Sequence, residues 1–342
     1  MDRLPLPPVD DLHVHLRQGE MMRRVAPLVR QGGVRRCIVM PNTDPPLTTV
    51  SRALAYRDEL ACLAPDVEFL PSLYLTNALD RAAVSAAADA GIVSVKCYPK
   101  GVTTGSEGGV ENLAAFGPAY RAMQDAGLVL QIHGEMPPVT GSGTTPLNAE
   151  ARFLPELRRL HEAFPSLRVV LEHVSSAEAV ACVCELGATV AATVTAHHLE
   201  LTADDWAADP HNFCKPVAKT AEDRSAIRQV VAAGHPRFFL GSDSAPHPRS
   251  AKEGARAAAG VFTTPLLLAY LAGSFESMGA LDRLGDFAGR FGREFYGLPP
   301  LDGGTVLERA ETVVPAAYGD VVPFRAGETL GWRVLPPGDS LR

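Results

Sequence analysis

Two histidines near the N-terminus, His13 and His15, lie one residue apart in the segment DLHVHLRQG. Side chains two residues apart on a β-strand point to the same face, so both imidazoles can bind one metal ion. Arg17 continues this alternation, and its planar guanidinium can bind both oxygens of a carboxylate. The segment therefore predicts a metal site that lies beside a carboxylate anchor.

Further polar residues follow later apolar runs of the sequence. In a β/α barrel, the chemistry lies at the carboxyl ends of the strands. The residues at these ends are His13, His15, Asn42, Lys96, His133, His173 and Asp243. Each has a simpler interpretation when taken alone: a hydrogen-bonded histidine, a lysine that reaches solvent, or an aspartate that caps a turn. Their occurrence at successive strand ends instead predicts one metal centre.

Lys96 fits the predicted metal centre only if its positive charge is replaced by a negative one. A protonated lysine cannot bind a metal ion, but a Lys96 carbamylated by carbon dioxide has a negative charge and two oxygens that can bridge two cations. Two zinc ions with this carbamate, an aspartate and a hydroxide carry a formal charge of about +1, which favours anionic ligands. The hydroxide is the expected nucleophile, because bound metal ions lower the pKa of water.

Strands and helices alternate through the first three quarters of the sequence. Segments such as 51–64 and 111–127 have apolar residues at spacings of three and four, which predicts helices packed on a sheet. The predicted strands are 11–16, 36–40, 67–74, 92–97, 128–133, 168–173, 189–194 and 237–241. Eight such units predict an α/β fold, a closed (β/α)8 TIM barrel. An open, doubly wound sheet is the alternative, although no glycine-rich phosphate loop follows the first strand.

The pattern changes after residue 241. We expect a helix over 264–271, further helical pieces up to about 296, and short strands with a turn in 320–334. These last strands belong to a short C-terminal appendage over about 300–342. The chain is long enough for two domains, but it contains no repeat or linker, so we expect one barrel domain over 1–342.

The composition limits the partners of the chain. Hydrophobic residues make up 46% and charged residues 21%, as in a globular protein with a large core. A net charge of −7 without a basic run argues against a nucleic-acid surface and favours a small-molecule partner. The N-terminus lacks a signal-peptide pattern, and no apolar run is long enough to cross a membrane. We therefore expect a cytoplasmic protein without a membrane partner.

The six cysteines form no C-x-x-C pair and are expected to be reduced residues of the core. Cys182 and Cys184 form a C-x-C sequence, which could bind a metal ion. The segment around them has a helical pattern, in which two residues at this spacing point apart. We therefore expect no metal site there.

The ordered motifs of the chain resemble the amidohydrolase superfamily and, within it, the shorter bacterial type of the dihydroorotase family. The motifs are DLHVHLRQG, CIVMPNTDPPLTT, VKCYPKGVTT, IHGE, LEHVSS, TAHHL, FCKP, FLGSDSAPH and VPFRAGET. They span nearly the whole chain in the order that the family has. VKCYP and GSDSAPH distinguish this branch from hydantoinase-like relatives.

The resemblance implies a ligand set for two zinc ions. These ligands are His13, His15 and Asp243 for the first ion, His133 and His173 for the second, and carbamylated Lys96 with a hydroxide as the bridge. It also implies a homodimer. The residues themselves leave the metal open, since histidine and carboxylate ligands accept cobalt or manganese as well as zinc.

The resemblance also implies a substrate and a reaction. The implied substrate contacts are Arg17, Asn42 and His247 at the carboxylate, His15 and His133 beside the metal ions, the backbone at Lys215 and Ala259, and Thr103 and Thr104 in a mobile loop. The implied reaction is the reversible ring closure of N-carbamoyl-L-aspartate to L-dihydroorotate in pyrimidine synthesis. In the hydrolytic direction, Asp243 would pass a proton to the leaving nitrogen.

Two positions depart from the family pattern, and two other functions stay open. Gln18 lies where an acidic residue is common, and Lys215 replaces an apolar residue. An allantoinase or hydantoinase is one alternative, but their rings lack the carboxylate that Arg17 is placed to bind. A non-catalytic barrel subunit is the other, although such relatives typically lose metal ligands and every ligand position is filled here.

Overall fold

Short parallel strands form the centre of the computed structural model, which describes residues 2–336. The strands are β1 (Arg3–Leu6), β2 (Val9–Val14), β3 (Val34–Val39), β4 (Glu68–Pro71), β5 (Leu73–Tyr74), β6 (Ser94–Cys97), β7 (Val129–Ile132), β8 (Val169–Leu171), β9 (Val190–Val194), β10 (Phe238–Leu240), β11 (Thr305–Val313) and β12 (Thr329–Val334). Each of the eight predicted strands corresponds to β2 or a later one of these. The third is interrupted at Ser72, so it appears as β4 and β5.

Helices alternate with these strands and surround them. They are α1 (Gly19–Gln31), α2 (Val50–Leu63), α3 (Arg81–Asp89), α4 (Gly117–Ala126), α5 (Ala149–Ala163), α6 (Ala177–Glu185), α7 (Ala203–Ala208), α8 (Ala221–Ala232), α9 (Arg249–Lys252), α10 (Leu267–Ser277) and α11 (Phe291–Tyr296). Side chains cap several N-termini; for example, Thr49 and Asp80 accept hydrogen bonds from backbone amides of α2 and α3. The predicted helix over 264–271 begins as a 3-10 turn and continues as α10.

The strands form two parallel sheets that join into a ring. One sheet has the order β2-β3-β4 and the other β10-β9-β8-β7-β6-β5. They meet where β4 leads into β5, and the amide of Ser72 donates to the Val39 oxygen at 3.1 Å. At the other junction, the amide of Asp243 donates to the oxygen of His13 at 2.9 Å. These contacts confirm the predicted (β/α)8 barrel and rule out the open sheet.

Apolar side chains fill the barrel interior. The cluster consists of Leu12, Ile38, Met40, Val129, Val170, Ala191, Phe239, Phe291 and Tyr296. Most of these residues come from different strands, while the last two come from α11. The side chain of Arg293 in α11 donates to the oxygen of Pro8, just before β2. Helix α11 therefore covers the amino-terminal end of the barrel and leaves the carboxyl ends for the polar residues.

A small antiparallel sheet, in the order β1-β11-β12, lies beside the barrel. The sequence predicted strands in 320–334, and β12 lies there, but β11 lies further upstream and 320–328 is a loop with turns. The N-terminal strand β1 was missed, because its short RLPL segment contains a proline. It is an edge strand, where the missing N–H of Pro5 is tolerated. Residues 337–342 of the predicted appendage lie outside the described residues.

The cysteines are free, but they do not all lie in the core. Cys37, Cys97, Cys182 and Cys214 are buried, whereas Cys62 and Cys184 are exposed. The prediction of core positions was therefore wrong for these two, which lie on outward faces of helices. The opposite burial of Cys182 and Cys184 agrees with side chains that point apart. Within residues 2–336, no helix is both long and apolar enough to span a bilayer.

Trp332 joins the small sheet to the barrel, and we predict that its removal destabilises the fold. Its side chain is fully buried, and its indole N–H donates to Glu276 of α10 at 3.1 Å. Trp332→Ala is expected to lower the free energy of unfolding by about 3–5 kcal/mol, because it leaves a large cavity. Urea denaturation measures this value. Arg333→Ala, an exposed neighbour on β12, is the control, and similar losses for both variants would contradict the prediction.

Candidate metal centre and substrate cavity

Three side chains from the first and last barrel strands converge on one point. The Nε2 atoms of His13 and His15 are 3.4 Å apart. The Oδ1 atom of Asp243 is 3.3 Å from Nε2 of His13 and 3.1 Å from Nε2 of His15. All three side chains are buried, and their ligand atoms lie within 4.8 Å of one another. Two imidazoles and a carboxylate at this spacing are a suitable set for a divalent cation.

The backbone brings these three residues together. Besides the bond from Asp243 to His13, the amide of His15 donates to the oxygen of Ser244 at 3.0 Å. A Cβ atom added at Gly241 would lie 2.6 Å from Cγ2 of Thr193 and 2.9 Å from Cβ of His13, so a larger residue would separate the strands. The glycine in the GSD segment therefore allows the close approach on which the site depends.

Three residues of the site have strained backbone conformations. Arg17, His173 and Asp243 have φ values of 58°, 45° and 44°. Residues other than glycine rarely adopt this left-handed region, and such strain concentrates at functional sites. These conformations direct the chain sharply away from the strand ends. They leave the side chains at the carboxyl end of the barrel.

The remaining predicted ligands lie beside this group. The ring centroids of His133 and His173 are 4.7 Å apart, and those of His13 and His173 are 5.1 Å apart. The Nζ atom of Lys96 is fully buried and has no hydrogen-bond partner among the described residues. The structure thus brings all six predicted ligands together, although their roles as ligands stay a prediction.

Burial and neighbouring charges shift the pKa values in this group. Burial alone would raise the pKa of Asp243, but hydrogen bonds from His13 and His15 hold it well below its usual range. Burial lowers the pKa of His15 to about 4 and that of Lys96 to about 8. The aspartate is therefore ionised and the His15 imidazole is neutral, which are the forms that bind metal ions.

Two buried glutamates that the sequence analysis missed contact the predicted ligands. An oxygen of Glu172 is 2.7 Å from Nδ1 of His13 and accepts a hydrogen bond from the Thr193 hydroxyl at 2.6 Å. This contact fixes the ring so that Nε2 of His13 faces the site. An oxygen of Glu135 is 2.7 Å from Nε2 of His133. Glu135 lies two residues after His133, so the alternation that found the H-x-H pair could have found it.

All the predicted substrate residues except His247 line one cavity, together with four of the predicted ligands. The lining consists of His15, Arg17, Asn42, Tyr98, Thr103, Thr104, His133, His173, Lys215, Asp243, Ala245, Ala259 and Gly260. Tyr98, Ala245 and Gly260 were not predicted. Tyr98 lies two residues after Lys96, and strand alternation again could have found it. Ala245 and Gly260 have no reactive side-chain group, so their residue types did not indicate a role in the site.

Arg17, which lines this cavity, forms a polar group with His247, which does not line it. Arg17 donates through Nε to the oxygen of Pro246 at 3.0 Å, and its Nη2 is 2.9 Å from Nε2 of His247. The same Nε2 is 3.0 Å from the oxygen of Ala259. Burial lowers the pKa of His247 to about 3, so this ring is neutral. One nitrogen cannot both accept from Arg17 and donate to Ala259, so only one of these bonds exists at a time.

A loop that contains Thr103 and Thr104 contacts the cavity from above the strand ends. Asn42 donates through Nδ2 to the oxygen of Thr104 at 2.9 Å. Lys215 donates through Nζ to the oxygen of Val102 at 2.8 Å. Lys215, one of the two residues that depart from the family pattern, thus binds the loop through its side chain. Gln18, the other departure, accepts a hydrogen bond from the Asp44 amide at 2.7 Å.

A second group of possible ligands lies outside this cavity. His197, His198 and Cys214 are buried with ligand atoms within 4.8 Å of one another. The ring nitrogens of His198 are 3.0 Å from the Thr195 hydroxyl and 3.1 Å from the Pro216 oxygen, and the Cys214 thiol donates to that oxygen at 3.2 Å. These hydrogen bonds already use His198 and Cys214. The ring nitrogens of His197 have no partner among the described residues, but one imidazole alone does not indicate a metal site.

Lys252, at the end of α9, fixes two backbone segments of the cavity. Its Nζ donates to the oxygens of Phe213, Ala258 and Gly260 at 2.8, 3.0 and 2.7 Å. The lysine thereby joins the residues on both sides of Ala259 to the segment that carries Lys215. Nothing in the sequence indicated this role, since it depends on oxygens from distant segments.

Known proteins resemble the chain over nearly its whole length. Residues 61–260 match the family model described as Amidohydrolase. The probable dihydroorotase of Schizosaccharomyces pombe is 48% identical over 333 residues, which cover 96% of this chain and 98% of that protein. The crystal structure of dihydroorotase in complex with 5-fluoroorotic acid from Saccharomyces cerevisiae matches with a TM-score of 0.94 and 40% identity, covering 98% of this chain and 99% of that chain.

A hydantoinase shares the fold at lower similarity. The L-hydantoinase of Arthrobacter aurescens matches with a TM-score of 0.85 and 20% identity, covering 97% of this chain and 83% of that chain. At this identity the match shows a common fold alone.

We predict that Lys252→Met lowers the free energy of unfolding by about 2–4 kcal/mol, because buried backbone oxygens lose a donor. Chemical denaturation followed by circular dichroism measures the change. Lys100→Met is the matched control, since Lys100 is exposed and pairs with the exposed Glu111 at the surface. Equal stability of the Lys252 and Lys100 variants would show that the three contacts of Lys252 are not stabilising.

Proposed function

The chain belongs to the dihydroorotase branch of the amidohydrolase family, and on this basis we propose how its residues carry out the dihydroorotase reaction. That reaction is the reversible ring closure of N-carbamoyl-L-aspartate to L-dihydroorotate in pyrimidine synthesis. The observation that carries the proposal is a single cavity whose lining includes both candidate metal ligands and Arg17, which contacts His247. A ring with both a reactive amide and a carboxylate matches these two features.

The residues at the strand ends fit two divalent cations, which we propose are zinc. His13, His15 and Asp243 supply converging ligand atoms for one ion, and His133 with His173 supply imidazoles for the second. Lys96 has a buried Nζ without a partner among the described residues, which suits a bridging carbamate. When bound, such ions polarise the scissile carbonyl and activate water.

Asp243 is the proposed proton carrier. Its carboxylate is ionised, lies at the junction of the first and last strands and lines the cavity. In the hydrolytic direction, water adds to the ring carbonyl and the amide C–N bond breaks. Asp243 accepts a proton from the water and donates it to the leaving nitrogen. In the direction of ring closure it carries the proton back.

The substrate carboxylate is proposed to bind at the opposite side of the cavity. Arg17 presents its guanidinium there, with its Nε already fixed on the Pro246 oxygen. Asn42 and Ala259 line the same cavity, and His247 contacts both Arg17 and the oxygen of Ala259. An anchored carboxylate holds the ring so that only its amide carbonyl reaches the metal ligands.

The loop with Thr103 and Thr104 is proposed to cover the bound substrate. Its contacts to Asn42 and Lys215 hold it against the cavity. A covered cavity keeps bulk water away and strengthens the charge interactions within it. Lys215 acts in this proposal through its side chain, in addition to the backbone contact that the family resemblance implies.

The proposal also covers the organisation of the chain. We propose one barrel domain over 1–342 with the C-terminal appendage from about 300, since β11 pairs with β1 at the other end of the chain. A homodimer and a cytoplasmic location are proposed from the resemblance and from the sequence. Light scattering of the purified protein measures the oligomeric state.

We predict that the protein loaded with zinc interconverts dihydroorotate and carbamoyl aspartate, whereas hydantoin and allantoin, which lack the ring carboxylate, react at least about 100-fold more slowly. Asp243→Asn should lower kcat by about 1,000-fold or more, since it removes the proton carrier. Absorbance of the ring amide follows the reaction, and circular dichroism checks the fold. A folded, metal-loaded wild-type protein without this activity would refute the proposed substrate.

We predict that Lys96→Ala lowers the metal content from near two ions per chain to about one or fewer, because the bridge is lost. Elemental analysis of the dialysed protein measures the content. Lys100→Ala, at an exposed lysine four residues later, is the control. Full metal content and activity in the Lys96 variant would exclude the bridging carbamate.

A further inference from the structure

Tyr98 is a buried residue of the cavity to which neither the family resemblance nor the site prediction gave a role. It directly follows β6 and lies two residues after Lys96, on the same face of the strand. Only 1% of its surface is exposed, and it lines the cavity together with Arg17 and Asp243.

The ring of Tyr98 is held in one position. Its centroid lies 5.2 Å from that of Tyr74 and 6.4 Å from that of His133. The Nζ atom of Lys96 is 5.1 Å from the same centroid. The backbone is also fixed, because the Val110 amide donates to the Tyr98 oxygen at 2.7 Å. The fixed ring therefore limits the movement of the Tyr98 hydroxyl toward other hydrogen-bond partners.

The Tyr98 hydroxyl has no hydrogen-bond partner among the residues that the structure describes. A buried hydroxyl without a partner costs free energy, and such groups in native proteins require an explanation. Tyr98 lines the same cavity as Arg17, the proposed carboxylate anchor, and Asp243, a candidate metal ligand. This is the region that the reacting ring occupies in the proposed function.

We propose that the Tyr98 hydroxyl donates a hydrogen bond to an oxygen of the bound substrate, a cyclic or open-chain amide with a carboxylate. The proposal rests on the proposed function and adds a substrate-binding residue to it. The bond supplies the hydroxyl with its missing acceptor. It also orients the ring between Arg17 and the metal ligands, so removal of the Tyr98 hydroxyl is expected to slow the reaction.

The test compares Tyr98→Phe with Tyr120→Phe. Tyr120 is a matched control, because it is also fully buried with an unpartnered hydroxyl but packs between Phe116 and Phe164, outside the cavity. Tyr98→Phe should lower kcat/KM for dihydroorotate by about 10- to 100-fold, with metal content and melting temperature unchanged. Tyr120→Phe should stay within about twofold of the wild type.

Three results would overturn the proposal. One is a Tyr98→Phe enzyme within about twofold of the wild type. The second is an equal loss in both variants, which would assign the effect to packing. The third is a loss of metal from the Tyr98 variant, which would place its role at the metal centre. Failure of the proposed function is recognised separately, because the metal-loaded wild type would then be inactive on dihydroorotate, and the Tyr98 proposal would fall with it.

Discussion

The backbone junction between the first and last barrel strands is the constraint on which the site depends. The amide of Asp243 bonds to the oxygen of His13, and the amide of His15 bonds to the oxygen of Ser244. These two bonds close the ring and, in the same step, bring an aspartate from position 243 to two histidines from the N-terminus. Closure of the barrel and assembly of the candidate metal centre are therefore one structural event. A chain that left this junction open would lose both.

Burial gives this junction its chemical character. The barrel interior below it is apolar, and α11 covers the far end, so water has little access to the ligand side chains from that direction. Within such surroundings a charge needs a close partner. Asp243 has two histidines, and Glu172 has His13 and Thr193. The Nζ atom of Lys96 lacks a hydrogen-bond partner among the described residues, and the proposed bridging carbamate rests on this observation.

The strands and the grouping of the candidate ligands could be predicted from sequence because both follow local patterns. Alternating apolar runs marked all eight barrel strands, and the polar residues at their ends marked the ligands. The edge strand β1 was missed because its four residues are too short for a pattern and include Pro5. The role of Lys252 was beyond prediction, since it binds oxygens from segments far apart in the chain. Tyr98 could be predicted only in part. The sequence shows its spacing from Lys96, but only the structure shows that its hydroxyl has no partner among the described residues.

The nitrogen that Arg17 and Ala259 share has a consequence for selectivity. A neutral imidazole nitrogen is either an acceptor for the guanidinium or a donor to the carbonyl, so one neighbour always lacks its partner. An anionic oxygen beside Arg17 removes this conflict, because the guanidinium then bonds to the anion and the imidazole is free to donate to the carbonyl. A neutral ring of the same shape leaves the conflict in place. The competition for the His247 nitrogen therefore favours a ligand with a carboxylate over a neutral ring of the same shape.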